Sequence, residues 1–418
     1  MFDEHLKLQQ QVDILREIEQ VKDVDVLLEK ILSVARKLVN ADAGSIYIKN
    51  GAKLELEFRY AQNDTLQKQL APGKKLIYTT FSVPINHSSI SGHVALTGET
   101  LNLPDVYRLN ATAVPYSFDP SYDEKAHYRT QSMLTIPLNN QDKVIGVMQL
   151  INAQNQKRAV IPFAEEDTPI IRIFANSVAV AIERAQMTRT MILRMISMAE
   201  LRDPKETGPH ANRIGAYASE IYEKWALKKE LPQKTIETYK DILRMAAMLH
   251  DVGKVGIKDE ILQKPGRLTP EEYDQMKQHT IKGARLFIEP QSEFDDIAGQ
   301  IALNHHERWD GTGYPGYVAL TGKALPDYAN EQGKPRGKRG EEIPLFARIV
   351  SVADVYDALS CRRVYKNAWN ENEVLEELRK ESGKQFDPEM IEAFFDTIDM
   401  IRAIARRFPG QEHEEVGR

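Results

Sequence analysis

The sequence predicts a multidomain protein: an α+β domain first, a long connecting helix next, and an all-α domain last. Three observations carry this expectation. Strand-like runs such as SMLTIPLNN and KVIGVMQLINA all end before Asn155. A run without a breaker extends from Thr168 to Asp203, with apolar residues at alternating steps of three and four. Beyond it the apolar spacing is helical almost throughout, and six of the chain's ten histidines fall there, at positions 210, 250, 279, 305 and 306 and, in the tail, at 413.

A chain of 418 residues has room for two or three domains, each with its own core. Its net charge of -6 lacks the basic excess of a protein that binds nucleic-acid polymers, although a basic pocket can exist inside an acidic protein. The one cysteine, Cys361, rules out an internal disulfide and a cysteine-based zinc site. Apolar runs such as VIGVMQLI are too short to cross a bilayer, and the opening residues MFDEHLKLQQQ lack the apolar stretch of a signal peptide. The expected setting is the cytoplasm, away from the membrane.

Taken in order, residues 4–20 place Leu8, Val12, Leu15 and Ile18 at helical steps, so residues 1–23 are assigned to an N-terminal helix. A first domain is expected over residues 24–186. It opens on the helical run VDVLLEKILSVARKLVN, with Leu27, Ile31, Val34 and Leu38 on one face. AGSIYIKN and KLELEFRY follow as strands joined through the Asn50-Gly51 turn signal. SISGHVALTGETLNLPDV reads as a short helix and strand, and SMLTIPLNN and KVIGVMQLINA as strands joined by a polar turn. This helix, meander, helix order is of α+β type. His87, His93 and His127 lie in this half without metal-ligand spacing and are read as ordinary core or surface residues.

The long helix begins at the capping residue Thr168 with Pro169 in its first turn. Ile171, Phe174, Val178, Ala181, Ala185, Thr188, Ile192, Met195 and Ala199 form a heptad seam. Packing on the domain's own sheet would account for its first half. Past Ile182 no core is evident, so residues 187–203 are expected to form a connecting coiled coil, continuous with the last helix of the first domain, that makes the chain a homodimer.

The last domain is expected over residues 204–400, with a helix end and acidic tail over 401–418; His413, in that tail, is read as solvated. The stretch HHERWDGTGYPGY, His305 to Tyr317, sets two imidazoles before a turn supplied by Gly311, Gly313, Pro315 and Gly316. His210, His250 with Asp251, His279 and Asp354 are offered as partners. Asp251 ends an apolar helical run, where a bare carboxylate is costly unless it meets a cation. Imidazole and carboxylate donors without thiolate suit iron, manganese or zinc, and this many donors exceed what one ion can use. Two or three ions can use them.

Two resemblances rest on these motifs. SGHVALTGETLNLPDV, SMLTIPL and VIGVMQLIN, in that order, resemble a GAF sensory domain over roughly residues 24–186. This implies a regulatory module with a small-molecule ligand that the sequence leaves unnamed. AAMLHDVGK together with HHERWDGTGYP and SVADVYDALSCRRVYK resembles the HD-GYP branch of the HD phosphohydrolase superfamily over about residues 195–400. That resemblance implies a metal-dependent phosphodiesterase opening cyclic di-GMP to linear pGpG and often onward to GMP. By position it implies metal ligation by His210, His250, Asp251, His279, His305, His306 and Asp354, with Asp251 as the bridge between two ions. Glu206 matches the glutamate used by members with a third ion; a solvated glutamate at a helix start is the other reading. Iron is the expected metal and manganese the alternative.

Lys254, three residues after Asp251, is expected to face the same cleft and contact phosphate. Arg363 and Lys366 match family positions that grip the dinucleotide. Tyr314 has two open readings, substrate contact and loop structure. Asp310 and Glu307 are expected to orient ligand histidines or hold the loop. VALTGKALPDYANEQGKPRGKRGEEIP, after GYPGY, is longer than the family's usual link. It reads as a solvated insertion, or as a lid whose Lys334, Arg336, Lys338 and Arg339 draw in an anionic substrate.

Overall fold

The first helix, α1 (Val24–Leu38), starts where the Asp23 carboxylate accepts the N–H groups of Asp25 and Val26. Its face of Leu27, Leu28, Ile31 and Leu32 is fully buried. The computed structural model describes residues 15–51, 53–110, 112–141, 143–200, 208–360 and 370–409. It divides into two compact units, Met1–Thr188 and Arg189–Arg418. Residues 15–20 are helical, with Ile18 in the core; of the rest of the expected N-terminal helix, residues 1–14 lie outside the described residues and residues 21–23 are not helical, Asp23 capping α1 instead.

The first unit is built on an antiparallel sheet. Strands β1 (Ala41–Asn50), β2 (Glu55–Asn63), β3 (Ser82–Pro84), β4 (Leu101–Leu103), β5 (Met133–Asn140) and β6 (Lys143–Gln154) lie in the order β3-β2-β1-β6-β5-β4, and β7 (Val160–Ile161) pairs with β6. The β1–β2 hairpin turns after Asn50, whose Cα partner is Glu55. Strand alternation separates two faces. Ile46, Ile48, Leu134, Ile136, Met148 and Leu150 pack against α1 and the first half of the long helix. Tyr47, Phe58 and Val147 face the other way, with Val94 and Ala95 of a short helix. Short helices Asp64–Gln67 (α2), Ile90–Thr97 (α3) and Ser121–Ala126 (α4) punctuate the meander. His93 is buried, with the Tyr116 ring 4.7 Å away and its Nδ1 2.7 Å from Nδ1 of the exposed His87.

The long helix is α5 (Asp167–Glu200). The heptad reading of its partners needs correction. Ile171, Phe174, Val178, Ala181 and Ala185 are buried in the first unit's own core. Ile192 and Ile196 pack with Ala211, Met245, Met248, Leu249 and Val252 of the second unit. Met195, assigned to the seam, is 49% exposed. The large apolar residues that face solvent are Ile170, Ile173, Val180, Met187, Met191, Met195 and Met198, recurring at steps of three, four and seven on one face.

The second unit is helical: α6 (Gly208–Lys228), α7 (Gln233–Ala246), α8 (Asp259–Leu262), α9 (Pro270–Arg285), α10 (Glu293–Asn304), α11 (Leu345–Ser360), α12 (Glu371–Lys380), α13 (Pro388–Asp396) and α14 (Ile398–Arg407). Tyr217, Tyr222, Leu243, Ile301, Val352, Tyr356 and Phe394 form part of one continuous core. Among the described residues no helix is long and apolar enough to cross a membrane.

Candidate metal centre

Five segments bring the ligand-type side chains together. His210 lies in the first turn of α6. After Ala246, helix α7 tightens into a 3-10 turn, Ala247–Leu249, which delivers His250 and Asp251. His279 sits on α9, and α10 ends at His305 with His306 next. Asp354 lies on α11. Gly253 permits the close approach: a Cβ there would lie 1.9 Å from the His279 carbonyl oxygen, so any side chain would push the His250-Asp251 turn off α9.

Each of four rings is aimed through its Nδ1. His250 donates to the Ala247 carbonyl at 2.9 Å, His279 to that of Met276 at 2.8 Å, and His305 to those of Ile301 and Ala302 at 3.1 Å. His210 Nδ1 lies 2.7 Å from an Asp357 carboxylate oxygen. A carbonyl can only accept, so Nδ1 carries the proton and the Nε2 lone pair faces inward.

Asp251 stands where the Nε2 atoms converge. Its Oδ2 is 3.1 Å from His250 Nε2, while its Oδ1 is 3.2 Å from His279 Nε2 and 3.6 Å from His305 Nε2. Donor atoms of Asp251, His279, His305 and His306 all lie within 4.8 Å of one another, and so do those of His210, His250 and Asp251. Asp251 belongs to both groups. Asp354 Oδ1 is 3.9 Å from His210 Nε2 and 3.8 Å from His250 Nε2, on the second group's side. Lys254 Nζ meets Asp251 Oδ2 at 2.8 Å.

The electrostatics suit cation binding. Burial holds His305 below the usual imidazole range and His306 well below it, helped at His306 by the neighbouring His305 and His279. Burial opposes ionisation of Asp251, but Lys254 and His250 outweigh it and hold the carboxyl well below its ordinary range. The centre therefore offers neutral rings at His305 and His306 and an ionised carboxylate at Asp251. His210 Nε2 is buried and has no hydrogen-bond partner among the described residues. An inward lone pair left so, among nitrogen and oxygen donors only, fits divalent cations.

The turn after His306 is held from below. Buried Glu307 accepts the backbone N–H groups of Gly316 and Lys338, tying both ends of the insertion to the histidine pair. Tyr314 stacks on His306 with ring centroids 4.9 Å apart. Asp310 accepts the backbone N–H and hydroxyl of Thr312 and so caps its own turn. Of the two roles expected for Glu307 and Asp310, loop holding is the one these contacts display. The insertion is ordered by Tyr317 stacked on Tyr328 at 3.7 Å and by Arg336 paired with Glu342 at 2.9 Å. Lys338 bonds to Asn304. Arg336 and Lys338 are thus engaged within the fold, which corrects the lid reading for those two cations.

Glu206, Arg363 and Lys366 lie outside the described residues. The sequence reading missed Asp357. Buried beside the centre, it holds His210 and also accepts from Arg213 Nε at 2.6 Å and Nη2 at 2.8 Å. Burial opposes its charge, yet the bonds from Arg213 and His210 bring its carboxyl down to about 2. A signal existed: Asp357 follows Asp354 by three residues, on the same face of α11.

Comparison with known proteins accounts for both halves. Residues 23–182 match the GAF domain family and residues 208–359 the HD domain family. The chain thus carries a region similar to the GAF domain family followed by one similar to the HD domain family. A cyclic di-GMP phosphodiesterase of Thermotoga maritima is 40% identical over 226 residues, covering 54% of this chain and 53% of that protein. The 3'3'-cGAMP-specific phosphodiesterase 2 of Vibrio cholerae is 29% identical over 253 residues, covering 59% of this chain and 43% of that protein. The chain spans about half the length of the curated relatives it matches. Among solved structures, a GAF domain/HD domain protein from Geobacter sulfurreducens aligns with 41% of this chain and 98% of its own at 16% identity and a TM-score of 0.30.

Proposed function

We propose that this protein is a metal-dependent phosphodiesterase that hydrolyses cyclic di-GMP to linear pGpG and onward to GMP under control of its GAF domain. The observation that carries the reading is Asp251, whose two oxygens serve two separate groups of imidazole nitrogens. That arrangement suits a carboxylate shared by two ions. Bound divalent ions supply Lewis-acid activation of water and charge neutralisation at the phosphodiester. Iron is the proposed metal and manganese the alternative.

The ligand set in this proposal is His210, His250, Asp251, His279, His305, His306 and Asp354, with Glu206 reaching a third ion. Lys254, already at the centre, contacts a phosphate oxygen, and Arg363 and Lys366 grip the dinucleotide. Residues 24–186 form the regulatory part, residues 187–203 the connecting helix and residues 204–400 the catalytic part. The chain works in the cytoplasm as a homodimer, joined along the exposed face of α5 that carries Val180, Met187, Met191 and Met198. A second reading, cleavage of a cyclic GMP-AMP dinucleotide, is favoured by the name of the Vibrio cholerae relative.

The test is chromatographic product analysis of both cyclic dinucleotides, using protein prepared without oxygen and loaded with ferrous iron, beside a metal-stripped control. Metal-dependent pGpG or GMP from cyclic di-GMP is expected. Preferential cleavage of cyclic GMP-AMP would shift the substrate, and both dinucleotides left intact at full metal loading, by the full chain and equally by residues 189–418 alone, would refute the enzyme in favour of a receptor.

A further inference from the structure

Helix α9 carries His279 into the centre, and the same helix places Tyr273 and Lys277 at its edge. Tyr273 is 49% exposed, a large aromatic ring turned to solvent. Its ring meets Tyr314 edge-on, with centroids 6.3 Å apart and planes at 78°. Tyr314 in turn stacks on His306. The Lys277 ammonium lies 5.3 Å from the Tyr273 centroid and 5.8 Å from that of Tyr314, and pairs with Asp274 at 2.6 Å. Tyr273 therefore stands one ring away from a metal-ligand histidine, propped by Tyr314 and by a cation shared between the two rings.

We propose that Tyr273 is the stacking platform for one purine base of the dinucleotide, with Lys277 as the positioning residue that holds it against Tyr314. This rests on the phosphodiesterase reading and adds a specificity determinant to it. A phosphodiester at the Asp251 centre carries its nucleosides outward. The exposed Tyr273 ring, one ring removed from His306, gives a base an apolar face, and a stacked aromatic is indifferent to which hydrogen-bonding edge the base presents. The wall thus selects for a nucleobase over a simple diester, and the choice between guanine and adenine falls to other residues.

The test uses the full chain and two kinds of measurement. Calorimetric binding of pGpG and of ribose 5-phosphate is compared for the wild type, Tyr273→Ala, Tyr273→Phe and Lys277→Met. Turnover of cyclic di-GMP and of glycerophosphoglycerol, a diester with neither base nor aromatic ring, is followed alongside. Tyr273→Ala should weaken pGpG binding about tenfold or more, the scale of one lost base stack. Tyr273→Phe should restore it, Lys277→Met should give a smaller loss, and the base-free diester should be cleaved at the wild-type rate throughout. Equal pGpG affinity in wild type and Tyr273→Ala, or an equal loss on both diesters, overturns the platform. A wild type that cleaves neither diester but still binds pGpG through Tyr273 would sink the enzyme reading and keep the platform, as part of a receptor.

Discussion

Replacing Asp357 by asparagine should damage stability and metal binding together. The carboxylate accepts three charge-assisted bonds, two from Arg213 and one from His210, with 2% of the residue exposed. The asparagine amide oxygen can keep one or two of them. Its NH2 group, however, would face a donor, either the Arg213 fork or the Nδ1–H of His210. Losing two bonds of this kind at ~1.5–3 kcal/mol each gives ~3–6 kcal/mol, in line with ~3–5 kcal/mol for breaking a buried ion pair by removing one partner. For a domain of this size that is a drop of roughly 6–20 °C in the unfolding midpoint of the second unit. With His210 no longer aimed, metal affinity should fall by about 10- to 100-fold. Calorimetry of the full chain reads the first quantity, and competition with a calibrated chelator reads the second. Asp354→Asn is the control, because that carboxylate faces the donors themselves and should lose metal at little cost in stability. An Asp357→Asn protein that melts within 2 °C or so of wild type and holds metal equally well would refute the reasoning.

Four further outcomes follow from the same geometry. Asp251→Ala should abolish turnover and empty both groups at once; elemental analysis showing one group still filled would remove its shared role. Gly253→Ala forces a methyl 1.9 Å from the His279 carbonyl. It should cost ~1–3 kcal/mol or more and reduce activity, read by thermal melting and turnover. Chelation should abolish activity reversibly and lower the second unit's stability by ~3–4 kcal/mol relative to protein held at one hundred to one thousand times the metal dissociation constant. In the insertion, the Arg336 guanidinium and the Arg339 backbone N–H bring Glu342 down to about 2. The support this gives holds above the ordinary carboxylate range near 4.5 and fades as pH falls from there toward 2. Near-ultraviolet circular dichroism of the Tyr317–Tyr328 stack should follow that window and be flat in Glu342→Gln.

The centre was legible where ligands and backbone share a short motif. His250 and Asp251 are neighbours, as are His305 and His306, so the turn that aims one aims the other. Asp357 was not legible. Its job is set by Arg213 and His210, more than 140 residues earlier in the chain, and only packing of α6 on α11 brings them together. The insertion was half legible: its glycines and prolines announced loops, but the contacts of Arg336 and Lys338 depend on Glu342 and Asn304 and turn apparent free cations into ties.

Helix α5 carries the sharpest lesson, because its period and the sheet under its first half were read correctly while the core that covers Ile192 and Ile196 was not foreseen. Apolar residues at steps of three and four say that a stripe is covered, and are silent on whether a sheet, a second unit or another copy of the chain covers it. Here the stripe beginning at Ile171 is satisfied first by the sheet of the GAF domain and later, at Ile192 and Ile196, by the helices around Met245 and Met248. What a second chain could use is a different stripe, rotated round the helix and rich in methionine, that spacing alone had left among the outward positions. A coiled coil through the first stripe would have to pull both cores open. One through Val180, Met187, Met191 and Met198 asks nothing of either, so Met187→Glu with Met191→Glu should leave both unfolding transitions in place while abolishing the dimer in sedimentation analysis.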